Sequence, residues 1–135
     1  MPYLIDSDWV IDHLAGHPEA TRLLTELAQG GIAISIVTYM EAFQGTEREA
    51  DPEGSQARLD MFLEAAPVIP FSPEVARRCA RLREALRRDK KRVRSRALDL
   101  LVAATALEYD LTLVTRNLDG YSDIPDLKLH KGATD

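Results

Sequence analysis

The chain has 135 residues, 45% of them hydrophobic and 29% charged, with a net charge of −5. That composition excludes a disordered chain and leaves room for one packed core but not two. No apolar run approaches the roughly 20 residues of a membrane span, and a single cysteine, Cys79, excludes an internal disulfide or a polycysteine zinc site.

Residues 3–6 read as a first strand. No basic stretch or small-residue cleavage site precedes them, so a cytoplasmic protein is expected. Residues 18–29 follow as a helix, with Ala20, Leu23, Leu24, Leu27 and Ala28 at helical spacing and Gly30-Gly31 as its stop. Residues 32–37 form a second, β-branched strand. A helix begins near Thr38 and fades before Asp51-Pro52, and residues 55–65 form another. Residues 67–71 are a short strand whose prolines suit a sheet edge. Ser72-Pro73-Glu74 opens a further helix, Ser as cap and Pro at the first helical position, with Val75, Cys79, Leu82 and Leu86 as its buried stripe. Residues 97–109 are nearly all apolar, which predicts a helix buried on more than one side. Residues 111–115 are a fourth strand and residues 127–130 a short last one.

Short apolar strands alternating with helices predict a parallel sheet covered on both faces. The expected fold is a single α/β domain over residues 1–135, a three-layer α/β/α sandwich with a mainly parallel sheet of four to five strands. Ligands of such sheets sit beyond the carboxyl ends of the strands, at a topological switch point. Four carboxylates fall near such places: Asp6 closing the first strand, Glu41 after the second, Asp119 after the fourth, and Asp99 within the apolar helix.

Charges of one sign about 5–6 Å apart repel by about 3 kcal/mol at an effective dielectric near 20, so a cluster of them calls for a cation or a proton. Oxygen donors suit Mg²⁺ or Mn²⁺, which can activate water against a phosphodiester. Each residue also has a structural explanation. Asp6 could cap a following helix. Thr38-Tyr39-Met40-Glu41 matches a capping box, in which Glu41 would reach back to the cap residue. Asp99 could cap a helix that starts at Leu100, whereas an earlier start leaves a buried carboxylate in need of a partner. Asn117-Leu118-Asp119-Gly120 reads as a turn. His13, His17 and His130 have no metal-ligand spacing and are expected on the surface or in packing.

The charge is unevenly spread. Residues 77–96 carry 11 of the 17 basic residues against two acids, a net +9, while the remainder stands at −14. Such an arm can bind a polyanion, or can simply be a solvated helix face.

Taken in order, the motifs resemble a known family. Leu4-Ile5-Asp6-Ser7-Asp8 is similar to the opening of PIN domains of the VapC type. Ser35 through Glu41 resembles their second motif, Asp99 with Leu101-Val102-Ala103-Ala104 the third, and Leu113-Val114-Thr115-Arg116-Asn117 with Tyr121 the fourth. Ile124-Pro125-Asp126-Leu127 resembles the usual ending. The resemblance implies a metal-dependent endoribonuclease, homodimeric and silenced by a small cognate antitoxin. It makes Asp6, Glu41 and Asp99 a site for Mg²⁺ or Mn²⁺. Some members carry a fourth acid immediately before the aromatic residue, where this chain has Gly120; Asp119 or Asn117 would then stand in. Asp8, Arg116 and Asn117 are candidate contacts to RNA, and the basic arm would track its backbone.

Two rival readings remain open at this stage. Asp6-Ser7-Asp8 also fits the opening of haloacid-dehalogenase-like phosphatases, with Asp6 as nucleophile and Asp8 as acid–base. Gly120 leaves room for a non-catalytic module that binds RNA or a protein partner.

Overall fold

The computed structural model describes residues 2–132. Five strands form one sheet: β1 Tyr3–Ile5, β2 Ile32–Ser35, β3 Val68–Ile69, β4 Thr112–Val114 and β5 Leu129–His130. Their order is β3-β2-β1-β4-β5, and every pairing is parallel. The chain winds outward from β1 through β2 to β3, then returns to the other side of β1 with β4. The switch point therefore lies between β1 and β4, whose last residues Ile5 and Val114 are in register.

Six helices cover the sheet: α1 Ser7–Leu14, α2 Pro18–Ala28, α3 Ile36–Glu47, α4 Pro52–Leu63, α5 Pro73–Arg88 and α6 Ala97–Glu108. The pleat sends alternate side chains to opposite faces. Leu4, Ala33 and Leu113 meet α5 and α6, packing with Val75, Cys79, Leu82, Leu86, Leu100 and Ala103. Ile5, Ile32, Ile34 and Val114 meet the other layer, with Trp9, Leu23, Leu24, Leu59 and Phe62. The three-layer α/β/α sandwich with a parallel sheet is thus present, with β3 and β5 at its edges. Val75, Cys79, Leu82 and Leu86 are all buried, as their spacing predicts.

Three local expectations need correction. Residues 7–14, not assigned to any element from the sequence, form α1, and Asp6 is its N-cap. The second strand stops at Ser35, because Ser35 caps α3 by accepting from the Thr38 N–H at 3.1 Å. That cap sits one turn before the Thr38 start inferred from sequence, so Glu41 lies in the second turn of α3 and closes no capping box. Asp99 is likewise no cap: α6 begins at Ala97, after a single 3-10 turn over Arg94–Arg96, and Asp99 faces out of its first turn. Both carboxylates are released from the structural duties that the sequence allowed them.

Candidate active site at the switch point

Asp6 ends β1 and is buried, 8% exposed. Its Oδ1 accepts from the Ser7 N–H at 2.9 Å and its Oδ2 from the Thr115 hydroxyl at 2.7 Å. The Asn117 N–H in turn donates to Thr115 Oγ1 at 2.9 Å. Asp6 thus serves two neighbours: one oxygen caps α1, the other accepts from the residue after β4. Burial pushes the Asp6 carboxyl above the usual carboxylate range, helped by the charges of Asp8 and Asp99; the hydrogen bonds from Thr115 and Ser7 oppose the rise.

Asp99 comes to the same place from α6. Its Oδ1 accepts from the Tyr121 hydroxyl and its Oδ2 from the Asn117 Nδ2, each at 3.3 Å. Tyr121 is 1% exposed. Burial, then the charges of Asp6, Asp99 and Glu41, push its phenol far upward, so it stays protonated and donates. Of the three, Asp99 is the one that accepts its hydrogen bond. Glu41, half-buried on α3, also shares with Asp99 a cavity of about 370 Å³ bordered by Arg94, Ser95 and Leu98. It makes no hydrogen bond or ion pair among the described residues.

Among the described residues no group of three or more His, Cys, Asp or Glu side chains is close enough together to hold a metal ion. Asp6 and Asp99 feel one another's charge, and both offer hard oxygen donors. Mg²⁺ is commonly held by one or two carboxylates, the rest of its shell being water and substrate phosphate. The donor set fits such an ion.

Asp119 is not brought to this group. Its side chain is exposed on a 3-10 turn, Leu118–Gly120, and only its backbone carbonyl is engaged, by Arg92 at 3.3 Å. Asn117 is the residue of this turn that touches Asp99: its Oδ1 accepts from the Gly120 N–H at 3.2 Å while its amide nitrogen reaches Asp99. A Cβ on Gly120 would lie 2.6 Å from that nitrogen and 2.8 Å from Asp99 Oδ2. A side chain at position 120 would displace the Asn117 and Asp99 side-chain ends from their present contact. Arg116 is spent on α1, paired with Asp12 at 2.6 Å and stacked 3.7 Å above the Trp9 ring. Its ion pair is the structural alternative to phosphate contact. Asp8 is exposed in the first turn of α1, within electrostatic reach of Asp6. His13 packs on Phe62 and His130 on Tyr3.

Sequence reasoning missed Arg96. It reads as one more cation of the basic arm, yet it is 4% exposed and pairs bidentately with Asp123 at 2.6 and 2.9 Å. It also donates to the carbonyls of Arg92, at 2.7 Å, and Gly120, at 3.2 Å. Arg96 thus ties the start of α6, which carries Asp99, to the turn that carries Asn117. A 27-residue separation in sequence leaves no signal of that pairing.

A family model described as the PIN domain matches residues 3–127. The chain belongs to the PIN-domain family. Among its relatives, Ribonuclease VapC19 of Mycobacterium tuberculosis is 33% identical over 127 residues, covering 93% of this chain and 96% of that protein. The tRNA(fMet)-specific endonuclease VapC of Shigella flexneri is 26% identical, covering 95% and 96%. The solved VapBC2 of Rickettsia felis, bound to a DNA fragment from its promoter, contains a chain that superposes with a TM-score of 0.83 at 30% identity, covering 96% of this chain and 98% of that one. The phosphatase reading of Asp6 and Asp8 gives way to the PIN domain.

Proposed function

We propose that this chain is a metal-dependent endoribonuclease, the toxin of a toxin–antitoxin pair, with Asp6, Glu41 and Asp99 as its acidic site. The observation that carries the reading is the pair of carboxylates Asp6 and Asp99, each held by hydrogen bonds from the segment after β4 at the switch point of a PIN domain, with Glu41 lining the same pocket as Asp99. Relatives named as VapC ribonucleases over nearly the full length support it.

Asp6 and Asp99 would hold the ion, Mg²⁺ or Mn²⁺. When bound, it supplies a polarised water and neutralises charge on the phosphodiester. Thr115 fixes the Asp6 carboxylate, and Tyr121 with Asn117 fixes that of Asp99. Such supporting hydrogen bonds typically govern 10–100-fold in metal affinity or activity. Glu41, free of internal partners among the described residues, is the carboxylate available to take the proton of the attacking water. No side-chain nucleophile is needed.

Incubation with total RNA tests the reading. Cleavage is expected with Mg²⁺ or Mn²⁺ and none with chelator. Absence of cleavage under every condition, with metal still bound, would instead identify a non-catalytic module.

A small antitoxin partner is supported by a solved structural neighbour from Klebsiella pneumoniae that is a toxin–antitoxin complex. A homodimer is supported by Ile36, Met40 and Phe43, spaced along one face of α3 and 39%, 48% and 38% exposed. Light scattering is expected to give twice the 15.1 kDa chain mass; a monomer at all working concentrations contradicts the pair. No helix among the described residues is long and apolar enough to cross a membrane.

A further inference from the structure

Arg94 borders two cavities at once. One is the pocket that holds Glu41 and Asp99. The other is an open trough of about 670 Å³ along the end of α5, lined by Arg83, Glu84, Arg87, Lys90, Lys91 and Arg94. We propose that this trough carries the phosphodiester backbone of an RNA strand into the acidic pocket, with Arg94 holding a phosphate where the two join. The proposal rests on the ribonuclease reading and adds to it the path of the substrate.

Five cations and one carboxylate give the trough a net charge of +4. Glu84 is already claimed by Arg87 and Arg88, at 2.6 and 3.1 Å, and those contacts hold its carboxyl down at about 2. Arg83, Lys90, Lys91 and Arg94 are exposed and form no ion pair among the described residues. Basic residues in a last helical turn can simply complement the helix dipole. That account covers Arg87 and Arg88 but not Lys90, Lys91 and Arg94, which lie past the end of α5.

The segment beyond α5 is also pinned. Lys90 takes a left-handed backbone, φ 59°, and the Lys91 N–H closes back on the Leu86 carbonyl at 2.9 Å. Arg92 bonds the Asp119 carbonyl, and buried Arg96 grips Asp123. The backbone that carries Lys90, Lys91 and Arg94 is therefore held in place beside the pocket. An acidic peptide on the same path would run against Glu41 and Asp99. A phosphodiester is the group those carboxylates are read to process. Contacts of this kind are to the backbone and carry little sequence information.

The test is fluorescence anisotropy of a labelled, mixed-sequence, single-stranded oligoribonucleotide at several salt concentrations, with chelator to prevent cleavage. The parent is compared with an Arg83→Ala/Lys90→Ala/Lys91→Ala variant and with Arg94→Ala, after circular dichroism has shown all three folded. Each lost phosphate contact removes about 0.7 from the slope of log affinity against log salt, so the triple variant is expected to lose about 2. Its affinity at low salt is expected to fall at least about 10-fold, and that of Arg94→Ala measurably. Unchanged slope and affinity, no binding by the parent, or tighter binding of polyglutamate than of RNA would each overturn the proposal. The parent reading fails separately. A protein that binds RNA through the trough yet cleaves none keeps the trough and loses the ribonuclease; one that cleaves while the triple variant binds undiminished does the reverse.

Discussion

Asp99→Asn is expected to reduce metal-dependent RNA cleavage by about 10³-fold while leaving the protein folded. The substitution is nearly isosteric, and the Tyr121 hydroxyl can still donate to the amide oxygen at position 99. What is lost is the charge that would hold the ion beside Asp6. Asp6→Asn is expected to have a similar effect on cleavage, with an opposite sign in stability. Burial and the neighbouring charges of Asp8 and Asp99 disfavour the ionised Asp6 carboxylate in the metal-free protein. Neutralising it is therefore expected to raise the metal-free Tm, by about 2–5 °C. Added Mg²⁺ is expected to raise the Tm of the parent and not that of either variant. Thermal unfolding with and without metal, run beside a cleavage assay, reads both effects. Full cleavage by Asp99→Asn would remove this residue from the site; a metal-free Tm lowered by Asp6→Asn would show that its hydrogen bonds to Ser7 and Thr115 outweigh the repulsion.

That pattern of loss in activity and gain in stability is what a site built from unneutralised like charges implies, and its outline was legible in the sequence. Strand ends could be read from short β-branched runs, and a parallel α/β sheet fixes where strand-end carboxylates gather. Asp6 was found that way, and Asp99 because a carboxylate in an apolar helix is costly without a partner. The misreadings are local. Ile36 and Val37 continue the apolar, β-branched character of β2, so the sequence gives no reason to stop the strand at Ser35. The serine hydroxyl decides it by taking the Thr38 N–H, and the Thr38–Glu41 capping box then has no helix end to cap. Asp119 is the acid of the Asn117–Gly120 turn, yet its side chain is exposed. The absent side chain at position 120 leaves space that the Asn117 and Asp99 side-chain ends occupy. Arg96 was hidden by its neighbours: ten other cations in one segment make a solvated face the natural reading, and only tertiary structure singles out the one that is buried.

Because Arg96 is buried, its partner carries a second large effect. Asp123→Asn is expected to destabilise the protein by about 2–3 kcal/mol, which for a domain of this size lowers Tm by about 7–10 °C. The variant leaves a buried guanidinium without its counter-charge: the amide oxygen at position 123 keeps at most one of the two hydrogen bonds, beside those to the Arg92 and Gly120 carbonyls. Loss of one partner in a fully buried pair costs about 3–5 kcal/mol, and the Asp123 side chain, 31% exposed, places this case below that range. The pH dependence distinguishes a lost ion pair from lost packing. The hydrogen bonds and charge of Arg96 hold the Asp123 carboxyl below its ordinary value of 3.8. A carboxyl depressed in the folded state contributes stability above its unfolded value and loses it as pH falls through the folded one. The gap between parent and variant is therefore expected to be constant from neutrality down to about pH 5 and to close below about pH 4, where the parent carboxylate takes up its proton. A gap that persists undiminished into acid would assign the loss to packing. Cleavage should weaken as well, by about 10-fold, since Arg96 holds the Gly120 turn that places Asn117 against Asp99. Arg96→Met, which removes the cation and keeps the apolar stem, separates the two contributions: it is expected to recover part of the stability and none of the positioning, because the Gly120 carbonyl then has no donor in place of Nη1.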